Sequence, residues 1–310
     1  MDYKEAGVDI DKGNAAKKAI KDVLKSTYDK GVLSELGVFG SMFELKGYKN
    51  PVLVSSVDSV GTKLKLAFML NKHDTVGVDM VGHSVNDILV QGAKPLFFLD
   101  YLGMNKVEPE LVKEIVTGIA TACKENGMAL IGGETAELRD LYAEGEYDLV
   151  GCIFGAVEKD EAITGEKITP GNAVIGLPSN GLHTNGYTLA RKVLDLNDKK
   201  VVDALMQPHK SYLKEVMSVK KYINGMAHIT GGGIVENVPR VLPDNCRVEL
   251  HFGWEIPWIF KEIQEKGNIE DDEMYRTFNM GIGFVIIVDK KDKDKVLKKI
   301  PGSVVVGEVV

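Results

Sequence analysis

From about residue 52 onward, short apolar runs alternate with stretches whose apolar residues recur every three or four positions, the pattern of strands interleaved with amphipathic helices. Residues 51–57 read as a strand, and residues up to Leu70 are expected to continue it past a tight Ser-Val-Gly turn. A helix is predicted over 76–91, stopped by Gly92, with KPLFFLDYL behind it as a buried strand. VEPELVKEIVTGIATACKEN carries Leu111, Ile115 and Ile119 on one face, has Pro109 near its start and ends at Asn126-Gly127, so it reads as a second helix. MALI is then a strand running into Gly132-Gly133, and residues 148–157 form another. The charged stretch EKDEAITGEKITPGN closes this half, which places a domain boundary near Pro170-Gly171. The second half opens with the strand AVIGL, and it adds a helix from Ile234 and strands near 247–252 and 281–288 before a terminal SVVVGEVV strand. The class is α/β or α+β.

Four places join a β-like run to a glycine-rich turn with acidic or hydroxyl residues: SSVDSVGTK, IGGETAE, PSNGLHTNGYTLARKVL and HITGGGIVEN. Glycine lets a backbone approach a phosphate closely, and successive N–H groups in such turns form anion nests. In the third place Asn180-Gly181 and Asn185-Gly186 fold the chain twice, presenting His183, Thr184 and Asn185 just before a helix carrying Tyr187, Ala190 and Leu194. That helix start would cradle a phosphate, although a plain surface turn has the same pattern. No Walker A sequence, GxSxG elbow or kinase signature accompanies these loops.

In VGVDMVGHSVNDILVQG, Asp79, His83, Asn86 and Asp87 fall at i, i+4, i+7 and i+8, one polar stripe on a helix otherwise lined by Val81, Val85, Ile88 and Leu89. Two carboxylates and an amide suit a hard divalent cation. A solvated helix face is the alternative. Lys21 and Lys63 are candidate cations for phosphate, and Glu134 and Glu137 would either hold a metal or cap the following segment. His228 directly precedes the TGGG turn, whereas His73, His209 and His251 read as structural or exposed.

Composition narrows the setting. The 310 residues are 44% hydrophobic and 27% charged, ordinary for a globular chain and enough for two domains with cores. A net charge of -7 gives no basic footprint for nucleic acid. Cys123, Cys152 and Cys246 lie far apart without metal spacing, which suits core positions in a reducing cytoplasm. The charged MDYKEAGVDIDKGN is not expected to act as a signal peptide, and the apolar runs are too short to span a bilayer. No membrane or nucleic-acid partner is expected.

Taken together, YKEAGVDIDKGN, VDSVGTK, VNDILVQGAKPLFFLDYL, IGGETAE, SNGLHTNGYTLARKVL, HITGGGIVENVPRVLPDN and MYRTFNMGIGF resemble, in order and over nearly the full length, the phosphoribosylformylglycinamidine cyclo-ligase (aminoimidazole ribonucleotide synthetase) family. The resemblance implies an α+β, two-domain aminoimidazole ribonucleotide synthetase-like fold: an N-terminal ATP-binding and dimerisation domain over 1–169 and a C-terminal α/β sandwich over 170–310. It also implies a homodimer whose N-terminal mixed sheets pair into a barrel, Mg²⁺ with ATP as co-substrate, and formylglycinamidine ribonucleotide as substrate. Other ATP-using members of the superfamily, such as selenophosphate synthetase, thiamin-monophosphate kinase and a hydrogenase maturation factor, are the nearest rivals.

Residue by residue, the resemblance links Lys21, Asp58, Thr62, Lys63, Asp87 and the turn of Gly132, Gly133, Glu134 and Thr135 to ATP, and Asp58 and Asp87, with Asp79 from the stripe, to metal. Ser179, Asn180, Gly181, His183, Thr184 and Asn185, with His228, Thr230, Gly231 and Gly232, are assigned to substrate. His183, Lys21 and Asp87 are the catalytic candidates, His183 as charge stabiliser or proton carrier at the formyl oxygen. The chain departs from the family pattern at Ser59, at Arg139-Asp140 after GGETAE, and at PHKSY, where a PTxxY-like segment is usual.

Overall fold

The computed structural model describes residues 5, 8–35 and 37–310. Tyr3, Lys4, Ala6 and Gly7 of the YKEAGVDIDKGN motif lie outside the described residues. The chain divides into two compact units, Met1–Ile88 with Lys94–Lys159, and Leu89–Ala93 with Asp160–Val310.

The first unit contains helices α1 (Ile10–Lys25), α2 (Leu64–Leu70), α3 (Val76–Leu89) and α4 (Pro109–Glu125) and strands β1 (Pro51–Ser59), β2 (Lys94–Met104), β3 (Ala129–Glu137) and β4 (Tyr147–Glu158). The strands form a mixed sheet in the order β1-β4-β2-β3. β4 pairs antiparallel with β1 and β2, whereas β3 runs parallel to β2. Burial alternates along β4: Leu149, Gly151 and Ile153 turn inward, and a Cβ on Gly151 would strike Phe98 and Met80, which puts α3 directly over this face. Val150, Cys152 and Phe154 on the other face are only half buried, with Phe154 stacked on Phe97 at 4.8 Å. Pro109 starts α4 where its missing N–H costs nothing, and Val112, Ile115, Val116 and Ile119 are buried, each contributing roughly 1.5–3 kcal/mol. Asp9 caps α1 by accepting from the Asp11 and Lys12 amides.

Two expectations fail here. The strand does not continue to Leu70, because Gly61 takes a positive φ of 68° and the chain winds through a 3-10 turn into α2. Nor is Gly132-Gly133 a turn: IGGETAE is strand throughout, held by its parallel pairing with β2.

The second unit is built on an antiparallel sheet of β5 (Ala173–Pro178), β6 (Ile223–His228), β7 (Val248–Leu250), β8 (Ile282–Val288) and β9 (Val304–Val309), ordered β6-β8-β5-β9-β7. Its helices are α5 (Tyr187–Val193), α6 (Lys199–Leu205), α7 (Leu213–Val219), α8 (Gly233–Asn237), α9 (Trp258–Gly267), α10 (Asp271–Thr277) and α11 (Lys293–Lys299). Every residue of β8 is buried. Phe284, Ile286 and Val288 pack with Val216 and Val219 of α7 and Val296 of α11, while Ile282, Val285 and Ile287 pack with Ile234 of α8 and Val238. A strand covered on both faces needs a continuous apolar run, which is why FVIIV does not alternate.

Among the described residues no helix is long and apolar enough to cross a membrane. Cys123 and Cys246 are buried, Cys152 is half buried, and all three are free thiols.

Candidate functional site

In the first unit β1 and α3 bring two of the predicted acids together. Ser56 Oγ donates to Asp87 Oδ2 at 2.8 Å and lies 3.3 Å from Asp58 Oδ2, and His83 Nε2 is 3.4 Å from Asp58 Oδ1. Burial pushes the Asp58 carboxyl up to about 7, helped by the hydrogen bond and negative charge of Asp87 and opposed by Ser56. Two carboxylates and a hydroxyl that strain against their own charge form an oxygen donor set suited to a hard cation, so these residues fit Mg²⁺. Bound there, such an ion would neutralise nucleotide phosphates and accept both acids in their ionised form.

Asp79, two turns before Asp87 on the same face, has a different partner. Its Oδ1 accepts from Lys63 Nζ at 2.7 Å, and both side chains are fully buried. Burial drives the Lys63 ammonium down while Asp79 holds it up. These two candidates are thus buried against one another. Thr62, beside them, is exposed.

On β3, Gly132 to Thr135 pair with Leu99 to Leu102 of β2. A Cβ on Gly133 would meet Asp100 O and Oδ1, both at 2.4 Å, so only glycine lets the Asp100 carboxyl lie across the neighbouring strand. Asp100 is partly accessible at the sheet surface, yet enough protein surrounds it that desolvation, with a smaller push from Glu134, raises its carboxyl to about 7. Glu134 is exposed at this sheet edge. Glu137 instead accepts from Val107 N at 3.1 Å and pairs with Arg139 at the same distance, which accommodates that departure from the family pattern. Lys21 is exposed on α1, whose helix packs on α4 and β3.

In the second unit the loop after β5 is tightly organised. Asn279, the second residue of the FNMG segment, donates from Nδ2 to Gly181 O at 2.8 Å, while its Oδ1 accepts from Gly281 N at 2.8 Å and lies 3.0 Å from Ser179 Oγ. His183 sits at a positive φ of 62° and is 1% exposed. Its Nε2 accepts from Asn180 N at 3.2 Å. A Cβ on Gly283 would collide with Tyr212 OH at 2.2 Å and His183 Cε1 at 2.4 Å, so glycine in β8 makes room for this ring. Tyr212 in turn donates to Pro178 O at 2.9 Å.

The TGGG turn joins this loop. Gly231 faces Asn185 Oδ1, and Asn237 Nδ2 bonds Gly233 O at 2.9 Å and Gly231 O at 3.1 Å, fixing a turn in which Gly232 and Gly233 both have positive φ. Ser179, Asn180, Gly181, His183, Thr184, Asn185, His228, Thr230, Gly231 and Gly232 therefore belong to one region of the second unit. A shallow cleft of about 340 Å³ opens beside Ser179, Asn180 and Gly181, walled by Lys200, Gln207 and Trp258. Sequence reasoning missed Asn279 and His209. The FNMG segment gave no sign of its grip on the loop, and only the fold shows His209 buried between His183 and His228.

A two-unit α+β fold with one mixed and one antiparallel sheet is shared with several proteins of known structure. Thiamine-monophosphate kinase from Stenotrophomonas maltophilia superposes with a TM-score of 0.69 at 14% identity, covering 94% of this chain and 93% of the kinase. E. coli HypE, a hydrogenase maturation protein, gives 0.69 at 15% identity, covering 94% and 90%. At such identities the likeness concerns the fold alone.

Sequence goes further. The pattern of AIR synthase related protein, N-terminal domain, matches residues 41–157, and that of the C-terminal domain matches 169–310. The chain is 52% identical to the phosphoribosylformylglycinamidine cyclo-ligase of Thermoanaerobacter sp. (strain X514) over 100% of its own length and 98% of that protein's. It is equally similar, 52%, to the cyclo-ligase of Trichlorobacter lovleyi over 97% and 91%. The chain belongs to the AIR synthase family.

Proposed function

We infer that the chain catalyses the phosphoribosylformylglycinamidine cyclo-ligase reaction of purine biosynthesis, closing formylglycinamidine ribonucleotide to aminoimidazole ribonucleotide as ATP becomes ADP and phosphate. The observation that carries this reading is the 52% identity over the whole of the chain. In the reaction the formyl oxygen takes the γ-phosphoryl group of ATP as the bond to ADP breaks. The ring-forming nitrogen then bonds the formyl carbon, its proton is lost, and phosphate leaves with the original oxygen. Catalysis of this kind depends on positioning and charge stabilisation, which suits a chain whose candidate groups are carboxylates, glycine strands and histidines.

Within that reading Asp58 and Asp87 hold Mg²⁺, and Ser56 orients the Asp87 carboxylate. The β3 edge at Gly132 to Thr135 and the exposed Lys21 approach the nucleotide phosphates. The loop from Ser179 to Asn185 and the turn at Thr230 to Gly232 receive the ribonucleotide. His183, buried with Nε2 already accepting, acts by fixing the shape of that loop and not by direct exchange at Nε2. We assign Lys63 and Asp79 to stability. The cytoplasm is the expected setting.

A homodimer is part of the same proposal. Edge strand β1 exposes Leu53 (64%) and Val57 (63%), and the half-buried face of β4 and β2 carries Val150, Phe154 and Phe97. An apolar edge and an apolar face on one sheet call for a partner, and a second copy pairing sheet to sheet would bury both.

One preparation tests both. Incubated with MgATP, with and without formylglycinamidine ribonucleotide, it should release ADP one-for-one with aminoimidazole ribonucleotide. ATP binding without product would overturn the reading and favour a sister activity. Light scattering on the same sample should give twice the 33.9 kDa of one chain, and a single-chain mass would refute the dimer.

A further inference from the structure

His209 lies in the PHKSY segment, between α6 and α7. It is buried at the centre of a cluster of three histidines. Its ring stacks on that of His183 with centroids 4.1 Å apart and planes 23° from parallel. Its Nδ1 lies 3.2 Å from Thr184 Oγ1, and its Nε2 lies 3.1 Å from His228 Nε2.

These contacts restrict where protons sit. Two imidazole nitrogens 3.1 Å apart attract only if one carries hydrogen and the other offers a lone pair, so the Nε2 atoms of His209 and His228 share one proton between them. Thr184 both donates and accepts through one hydroxyl, so it satisfies Nδ1 of His209 in either arrangement. The backbone amide of Asn180 can only donate, so Nε2 of His183 bears the lone pair and the neutral ring carries its hydrogen on Nδ1. A near-parallel contact with His209 then holds the plane of that ring.

We propose that His209 is a positioning residue for the cyclo-ligase reaction, holding the His228 ring by its Nε2 and fixing the plane of His183 so that the Ser179–Asn185 loop and the Thr230–Gly232 turn meet the ribonucleotide as one pre-set array. The proposal rests on the reading that those two segments receive the substrate. His209 belongs to neither segment but touches a member of each: His183 and Thr184 on one side, His228 on the other. Replacing it should therefore disturb both at once.

The test uses the intact chain labelled with ¹⁵N-histidine, unmodified and as the His209→Phe and His209→Gln variants. Phe keeps a flat ring for stacking but has no nitrogen; Gln keeps a donor and an acceptor. In the unmodified protein the Nε2 signal of His228 should carry the shift of a nitrogen hydrogen-bonded to a second imidazole. In His209→Phe that shift should be lost, and kcat should fall by about 10²-fold, as a small misplacement near the reacting groups does, with KM for ATP unchanged. His209→Gln should recover most of both. A His209→Phe protein that melts like the parent and keeps its His228 signature overturns the proposal. So does a changed signature with unaltered kcat, which would separate the cluster from the reaction. Failure of the broader functional reading would look different: the unmutated protein itself would form no product.

Discussion

Asp79 and Asp87 stand two turns apart on one face of α3, and nothing in the local sequence separates them. One is sealed against Lys63 with both side chains fully buried, and the other is partly exposed beside Ser56 and Asp58. The difference comes from β1 and the turn that follows it. While the chain is extended, Ser56 and Asp58 face Asp87; once Gly61 turns it into a helix, Lys63 swings to Asp79. A carboxylate on a helix stripe thus becomes a ligand candidate or a structural ion according to what the neighbouring strand delivers.

The sharpest way to break this comparison is to neutralise each acid in turn. Asp87→Asn should lower kcat by about 10²–10³-fold, the usual scale for losing a group that stabilises charge on a transferring phosphoryl, while leaving the unfolding midpoint near that of the parent. Asp79→Leu should do the reverse. It strands the Lys63 cation in the interior, which costs about 3–5 kcal/mol, while the protein that remains folded keeps its turnover. Urea titration and steady-state kinetics on the same two samples decide the matter. If Asp79→Leu lost turnover without losing stability, the internal role of the pair would be wrong.

How much of this was legible beforehand depends on the range of the forces involved. α3 and α4 announce themselves through long apolar stripes, Pro109 and the glycines beyond their ends, all local signals. The β3 strand does not, because glycine has no strand preference and Gly132-Gly133 become extended only by pairing with β2. The pairing of Asp58 with Asp87 was readable as two acidic motifs, but the withdrawal of Asp79 and Lys63 was not, since it hangs on the positive φ of Gly61. His209 is the clearest loss: its partners are 26 and 19 residues away, and only the fold of the second unit makes them neighbours. Most helices of that unit have seven residues or fewer, too short for periodicity to mark them.

A second experiment sharpens the comparison by removing both charges at once. Lys63→Met with Asp79→Leu leaves no stranded ion and replaces a desolvated pair by apolar volume. Its stability should return to within about 1 kcal/mol of the parent or exceed it, because the pair's attraction barely offsets the cost of taking both ions from water. No such rescue should exist for Asp87, whose loss is one of chemistry. A double variant as unstable as Asp79→Leu alone would show that the pair shapes the core in a way apolar side chains cannot copy.

The smallest effect is in the pH dependence of stability, and it separates acids that want a cation from the one already paired. The Asp58 and Asp100 carboxyls are each raised to about 7 in the folded chain, far above the ordinary value near 3.8 that the unfolded chain keeps. Between those two pH values the folded state holds protons that the unfolded state has released, so stability should decline as pH rises from about 4 to about 7 and level off above it. Asp100→Asn should flatten its share of that slope by removing the titrating group. Mg²⁺ should flatten the share of Asp58, and stabilise the protein more at pH 8 than at pH 5, because it binds the ionised pair and competes with the proton. A Mg²⁺ effect equal at both pH values would show that the ion does not meet Asp58 and Asp87, and the contrast with Asp79 would then lose its chemical meaning.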